Sequence, residues 1–229
     1  SPNISPDPEF GIGNWSTLDF INAMVKGLSP QLEHYYPAFP YPHYQNVTYD
    51  DLIDLKAYLD TLPLSSRQVA GHELSFPFSF RRGVGLWKWR YLGRNASSQT
   101  SDPTTPVERG RYLVTGPGHC GACHTPRDVF GGEIVDRFLA GAESFEVAEE
   151  SQGDGGERIP NITPHPDGIG GWSETDIAYS LETGFDPDFD SFGGSMVEVQ
   201  ENMARMPAED RDAIAAYLKS IPAHPSESP

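Results

Sequence analysis

The strongest constraint on the fold is an internal repeat. Residues 3–28 read Asn-Ile-Ser-Pro-Asp-Pro, then Gly-Ile-Gly-Asn-Trp-Ser-Thr-Leu-Asp-Phe, then Lys-Gly-Leu. Residues 161–185 read Asn-Ile-Thr-Pro-His-Pro, then Gly-Ile-Gly-Gly-Trp-Ser-Glu-Thr-Asp-Ile, then Thr-Gly-Phe. Trp15 pairs with Trp172 and Gly27 with Gly184, 157 positions apart in both cases. A second block closes each copy, residues 51–59 matching 210–218 at a distance of 159. Two copies so far apart mean duplicated domains, not a solenoid.

The repeated blocks read as helices. Ser16 with Asp19, and Ser173 with Asp176, form N-cap patterns with an acid in the first turn. Phe20, Ile21, Met24 and Val25 then make an apolar face, and Gly27 is a C-terminal stop. The closing helices carry Leu52, Leu55 and Leu59 in one copy and Ile214, Tyr217, Leu218 and Ile221 in the other. They end before Pro63 and Pro222. No alternating segment is long enough to argue for a sheet. The expected class is all-α with long irregular connections, divided as 1–63, a linker over 64–106, a second domain over 107–222 and a tail over 223–229.

Charge narrows the partners. The chain carries a net −17 over 229 residues, a field that repels nucleic-acid phosphates and anionic lipid and draws in cationic partners. The linker runs against that trend. Arg81, Arg82, Lys88, Arg90 and Arg94 interleave there with Trp87, Trp89 and Tyr91. The reading is either a linker whose cationic heads reach water over packed aromatics, or a collar for an anionic cofactor or acidic partner. Residues 95–106 read as a flexible boundary and the acidic stretch 143–157 as a solvated loop. No run approaches the roughly 18 apolar residues of a membrane span. The start lacks a basic-then-apolar leader, so Ser1 is expected to begin a mature or trimmed chain.

Two cysteines are too few for a disulfide framework. Their setting, His119-Cys120-Gly121-Ala122-Cys123-His124, contains Cys-x-x-Cys-His, the pattern for covalent c-type haem attachment. Two thiols on one turn can each add to a vinyl group of one porphyrin, and the next histidine supplies an imidazole to the iron. Three rivals are weaker. A zinc site would want four ligands, a redox dithiol a βαβ context, and a disulfide across so short a loop closes little chain entropy.

A haem iron in an electron carrier takes a second strong ligand, Met or His. Candidates are Met196, Met203, Met206, His165 and His224. Met196 follows Phe192-Gly193-Gly194-Ser195, where glycines let backbone approach a porphyrin. Met203 and Met206 lie in or beside an expected helix over 197–206, where methionine fills core. Met196 is therefore the expected ligand beside His124.

Residues 107–222 resemble a class I cytochrome c domain. The resemblance rests on Gly110-x-Tyr112, Cys120-x-x-Cys123-His124, Pro160-Asn161-Ile162, Trp172, the methionine loop and a closing helix with Tyr217. The whole chain resembles the multihaem cytochrome c subunits of bacterial membrane-bound alcohol and gluconate dehydrogenases, through Gly-Pro-Gly-His-Cys-Gly-Ala-Cys-His-Thr-Pro-Arg and Ala-Ile-Ala-Ala-Tyr-Leu-Lys-Ser-Ile-Pro. That implies periplasmic electron transfer from a dehydrogenase toward quinone or an oxidase, within a membrane electron-transport complex. It also implies that the Pro160–Asn161 region accepts the His124 N–H and that Trp172 reaches a haem propionate.

The first copy departs from this pattern. Only two residues precede Asn3, whereas Cys120 precedes Asn161 by 41, so the attachment motif is missing from it. Phe39 stands where Met196 stands in the second copy, and Phe cannot bind iron; His34, His43 and Met24 are weak substitutes. The expectation is two tandem cytochrome c-like domains, the first incomplete at its N-terminus and haem-free, with one haem c per chain. Against an electron carrier stand two alternatives: a haem oxidase or peroxidase with a displaceable sixth ligand, and a structural assembly subunit.

Overall fold

The computed structural model describes residues 2–70, 74, 80–92, 103–143 and 158–226. The acidic stretch beyond Glu143, most of the expected boundary at 95–106 and Arg94 lie outside these residues. The class is all-α, as the sequence predicts. Among the described residues the strands are a two-residue antiparallel pair, β1 (Ala142–Glu143) and β2 (Arg158–Ile159), with Ala142 opposite Ile159. The chain divides into two compact units, Ser1–Ser101 and Asp102–Pro229.

The first unit holds α1 (Thr17–Lys26), α2 (Tyr41–Tyr44), α3 (Tyr49–Leu59) and α4 (Arg82–Tyr91). The second holds α5 (Pro106–Thr115), α6 (Gly121–His124), α7 (Glu174–Thr183), α8 (Met196–Met203) and α9 (Ala208–Ser220). The capping patterns form. Asp19 N–H donates to Ser16 Oγ at 3.1 Å while Ser16 N–H donates to Asp19 Oδ2 at 3.0 Å. Ser173 and Asp176 repeat the box at 2.8 and 3.1 Å. Each box satisfies two otherwise orphaned N–H groups at a helix start. Gly27 (φ 59°) and Gly184 (φ 79°) then stop α1 and α7 in the left-handed region, where a Cβ would be strained.

The backbone repeats as the sequence does. Trp15 N–H donates to Ile12 O at 3.0 Å and Trp172 N–H to Ile169 O at 3.1 Å. Beyond the helices, Tyr35 N–H reaches Gly27 O and Phe192 N–H reaches Gly184 O, both at 2.8 Å. Isolated bridges pair Leu28 with His34 and Phe185 with Ser191.

The second unit's core is Leu113 and Val114 of α5, Leu139, Ile169, Ile177 of α7, and Ile214, Ala215 and Leu218 of α9. Each such aliphatic side chain contributes about 1.5–3 kcal/mol by leaving water. α5 and α9 cross at Gly110, where any Cβ would overlap the Ala213 carbonyl. Arg109 fastens the crossing through two bonds to the Asp210 carboxylate, at 2.7 and 3.0 Å. The first unit's core gathers Ile12, Phe20, Ala23, Met24, Val25, Tyr41, Val47 and Leu52, with Val84 from α4 also buried.

α4 falls in the stretch read as a linker, and its lysine does not reach water. Lys88 is buried, and its Nζ donates to the carbonyls of Lys26 and Gly27 at 2.8 and 2.7 Å. It also lies 3.1 Å from His34 Nδ1 and 4.6 Å from the Tyr41 ring centroid. The end of α1 is thus capped from 61 residues away.

Candidate haem site

The attachment motif is held by a tight turn after α5. Gly118 N–H donates to Leu113 O at 2.8 Å and Cys120 N–H to Val114 O at 3.1 Å, folding the chain back over the helix end. His119 takes φ 38° in this turn. α6 follows directly, with Cys120 as its N-cap and His124 as its last residue. Cys120 is half-buried and Cys123 exposed, and the two form no disulfide. Burial pushes the Cys120 thiol up to about 11, so it stays protonated at neutral pH.

His124 is buried, and its Nδ1 lies 2.8 Å from the Pro160 carbonyl. A peptide carbonyl only accepts, so Nδ1 carries the proton and donates, leaving Nε2 with a free lone pair. Burial lowers the His124 pKa, and the bond to Pro160 opposes this only in part. The ring is therefore held as the neutral imidazole, the form in which histidine can ligate a metal. Gly141, between the two, returns the chain: its N–H donates to His124 O at 2.8 Å. At φ 86° a side chain on Gly141 would press within 2.9 Å of Asn161 N and Ile159 O.

The donor set fits a c-type haem: two thiols one turn apart, and an oriented neutral imidazole with its second nitrogen open. Among the described residues no group of three or more His, Cys, Asp or Glu could hold a metal ion.

The structure brings Cys120, Cys123, His124, Pro160 and Asn161 together through α6 and this carbonyl contact. Trp172 and Met196 are not bonded to that cluster among the described residues. Trp172 packs, half-buried, against the core, and its carbonyl accepts Lys219 Nζ at 2.8 Å. Lys219 also reaches the Ile169 and Gly170 carbonyls, tying α9 to the tryptophan loop. Met196 is the first residue of α8, not part of a loop before it, and is half-buried outside the core cluster. Met203 and Met206 do pack on that cluster. His165 is engaged by Asp167, its Nδ1 3.2 Å from the carboxylate. In the first unit, Phe39 sits edge-on to Tyr35, Tyr41 and Tyr44. Met24 and His43 are buried there, and His34 faces Lys88.

Sequence reasoning missed Gly141, Thr163 and Lys219. The one signal available for Thr163 was the recurrence of Asn-x-Ser/Thr at Asn3 and Asn161.

No protein-family model matches the chain. Relatives do. A diheme cytochrome c-type protein of Cereibacter sphaeroides is 49% identical over 97% of this chain and 71% of its own length. The chain belongs to the c-type cytochromes. The cytochrome c subunit of a quinone-linked alcohol dehydrogenase from Gluconobacter oxydans is 36% identical over 98% of the chain. That of a gluconate 2-dehydrogenase from Pantoea cypripedii is 34% identical over 96%. The chain spans about half the length of these two subunits, 47% and 50%. A c-type cytochrome moves electrons on its haem iron, so this chain is an electron carrier.

One expectation is corrected. One haem per chain does not stand beside a relative at 49% identity that is named for two, which points to two haems here. The count of one came from tallying Cys-x-x-Cys-His within 229 residues, a stretch matching 71% of that relative.

Proposed function

We propose that the protein is the electron-carrying cytochrome of a bacterial periplasmic dehydrogenase complex, built as two tandem cytochrome c-like units with a haem in each. The observation that carries this reading is the His124–Pro160 contact beside two thiols one turn apart. Cys120 and Cys123 would hold the second unit's haem, and His124 and Met196 would supply the ligands to its iron. When bound, that haem supplies a one-electron ferrous/ferric couple. Pro160 orients His124, and Trp172, whose indole N–H has no bond among the described residues, donates to a propionate. Met196 is favoured because Met203 and Met206 already fill core.

The first unit carries the second haem, whose attachment cysteines are not among these 229 residues. Pro2-Asn3 supports this, standing 158 positions before Pro160-Asn161. The domain boundary falls in the stretch around 64–106, and the partners are a dehydrogenase and a membrane electron acceptor. Among the described residues no helix is long and apolar enough to cross a membrane.

The decisive experiment is Met196→Ala in the haem-loaded protein. The weak long-wavelength Met–iron band of the ferric form disappears in it and persists in Met203→Ala and Met206→Ala. A band that survives Met196→Ala removes the ligand assignment. Carbon monoxide binding by the unmutated ferrous protein would instead favour a haem enzyme with a displaceable sixth ligand.

A further inference from the structure

Two clamps of one design stand where the chain leaves α3 and α9. In the second unit, Asn161 Nδ2 donates to His224 O at 2.8 Å and to Ser226 Oγ at 3.2 Å. Asn161 Oδ1 accepts the Thr163 N–H at 2.8 Å. Thr163 Oγ1 lies 2.8 Å from that same oxygen and 3.1 Å from His224 O, its single proton within reach of both, and it accepts from His224 N–H at 3.2 Å. Asn161 and Thr163 are buried. Arg137 holds Pro225 O at 2.9 Å, and Asp167 accepts the Ser226 N–H at 3.2 Å.

The first unit repeats this with different residues. Asn3 Nδ2 donates to Ser65 O at 2.7 Å and Arg67 O at 3.1 Å, and Asn3 Oδ1 accepts Ser5 N–H at 2.9 Å. Ser5 Oγ donates to Ser65 O and accepts from Ser65 N–H, both at 3.2 Å. A device that keeps its bonding pattern while Ser replaces both Thr and His is selected for geometry, not for the side chains beyond the helix.

What it holds follows from the planar peptide. The Pro160 carbonyl shares one rigid plane with the Asn161 N and Cα, so immobilising Asn161 fixes the direction of that carbonyl. Gly141 packs against the same peptide, leaving no room for a side chain. We propose that the strap after α9 aims the Pro160 carbonyl at His124, with Asn161, Thr163 and the His224 backbone as its positioning residues. This rests on the haem reading above. An imidazole whose N–H is well accepted is a more basic ligand and favours the ferric state. A slack strap therefore raises the reduction potential.

The test uses the haem-loaded 229-residue chain, with Thr163→Val, Thr163→Ser, Asn161→Ala and a deletion of 223–229. Potential is read by spectroelectrochemical titration and stability by denaturant unfolding. In Thr163→Val and Asn161→Ala the ferrous-to-ferric ratio at a fixed ambient potential rises above that of the unmutated chain. The deletion raises it likewise, and Thr163→Ser keeps the native value. Variants that lose stability but keep the native potential overturn the strap's role. Should Asn161→Ala or the deletion fail to fold, the isosteric Thr163→Val decides. An unmutated chain that holds no covalent haem overturns the haem reading, and the strap's role with it.

Discussion

α3 and α9 carry the same closing sequence pattern and meet different fates. Ile214 of α9 is 4% exposed, covered by α5, whereas Leu55, its counterpart 159 positions earlier, is 38% exposed. Tyr217 is packed on the core while Tyr58 of α3 is 62% exposed. Pattern decides that a helix forms; a second helix decides how much its face contributes. The ends of α1 and α7 differ in the same way. Gln200 of α8 donates to Glu182 O at 2.7 Å to close α7, whereas Tyr41 lies against Gly27 and Lys88 supplies the bonds for α1.

The largest expected effect breaks the first contrast. In the 229-residue chain, Ile214→Ala should destabilise the second unit by about 2–5 kcal/mol, while Leu55→Ala should cost the first unit under about 1 kcal/mol. Denaturant unfolding, followed by hydrogen exchange resolved for each unit, measures both. Equal losses would mean that Leu55 is covered as Ile214 is. Gly110→Ala belongs beside Ile214→Ala, because its methyl would overlap the Ala213 carbonyl.

The next effect separates the two caps by pH. Burial lowers the Lys88 pKa from 10.5 to about 8. Between these values the unfolded chain holds the proton that the folded chain has lost, so the first unit gains stability as pH rises from 8 to 10.5. The gain is on the order of 1–3 kcal/mol. Burial, with Lys88 nearby, lowers His34 too, so acidification below 6.5 weakens the same unit. Lys88→Met should erase the alkaline gain, leaving a melting temperature that is level from pH 8 and falls near pH 10, where Tyr35, Tyr41 and Tyr44, whose pKa burial raises, ionise in the unfolded chain before the folded one. Gln200→Ala, with no ionisable partner in its bonds, should cost the second unit about 1 kcal/mol at every pH.

The smallest effect concerns the surface. With a net charge of −17, reduction by a cationic partner should slow steeply from low salt to 0.15 M, where screening acts within about 8 Å. Stopped-flow rates across a salt series measure it, and a flat series would favour transfer inside a fixed complex.

What could be read in advance was local. The capping boxes and the glycine stops each depend on a few neighbouring residues, so they sit in plain order along the chain. The Lys88 cap and the Asn161–His224 bond join residues more than 60 positions apart, and no spacing rule announces them. Lys88 looked like one of a run of solvated cations because burial is a property of what packs on it. The helix at Met196 began one residue earlier than expected, since Ser195 already takes helical angles. The haem count failed for a different reason, being a tally of motifs within one stretch of sequence.

The crossing of α5 and α9 has a consequence for how the second unit is made. Arg109 and Asp210 are 101 residues apart. A ribosome emits α5 long before α9, and loops of that length must close before their contacts repay the lost freedom. Leu113 and Val114 therefore wait for Ile214 and Leu218, and the unit cannot finish folding until nearly its last turn of helix has emerged.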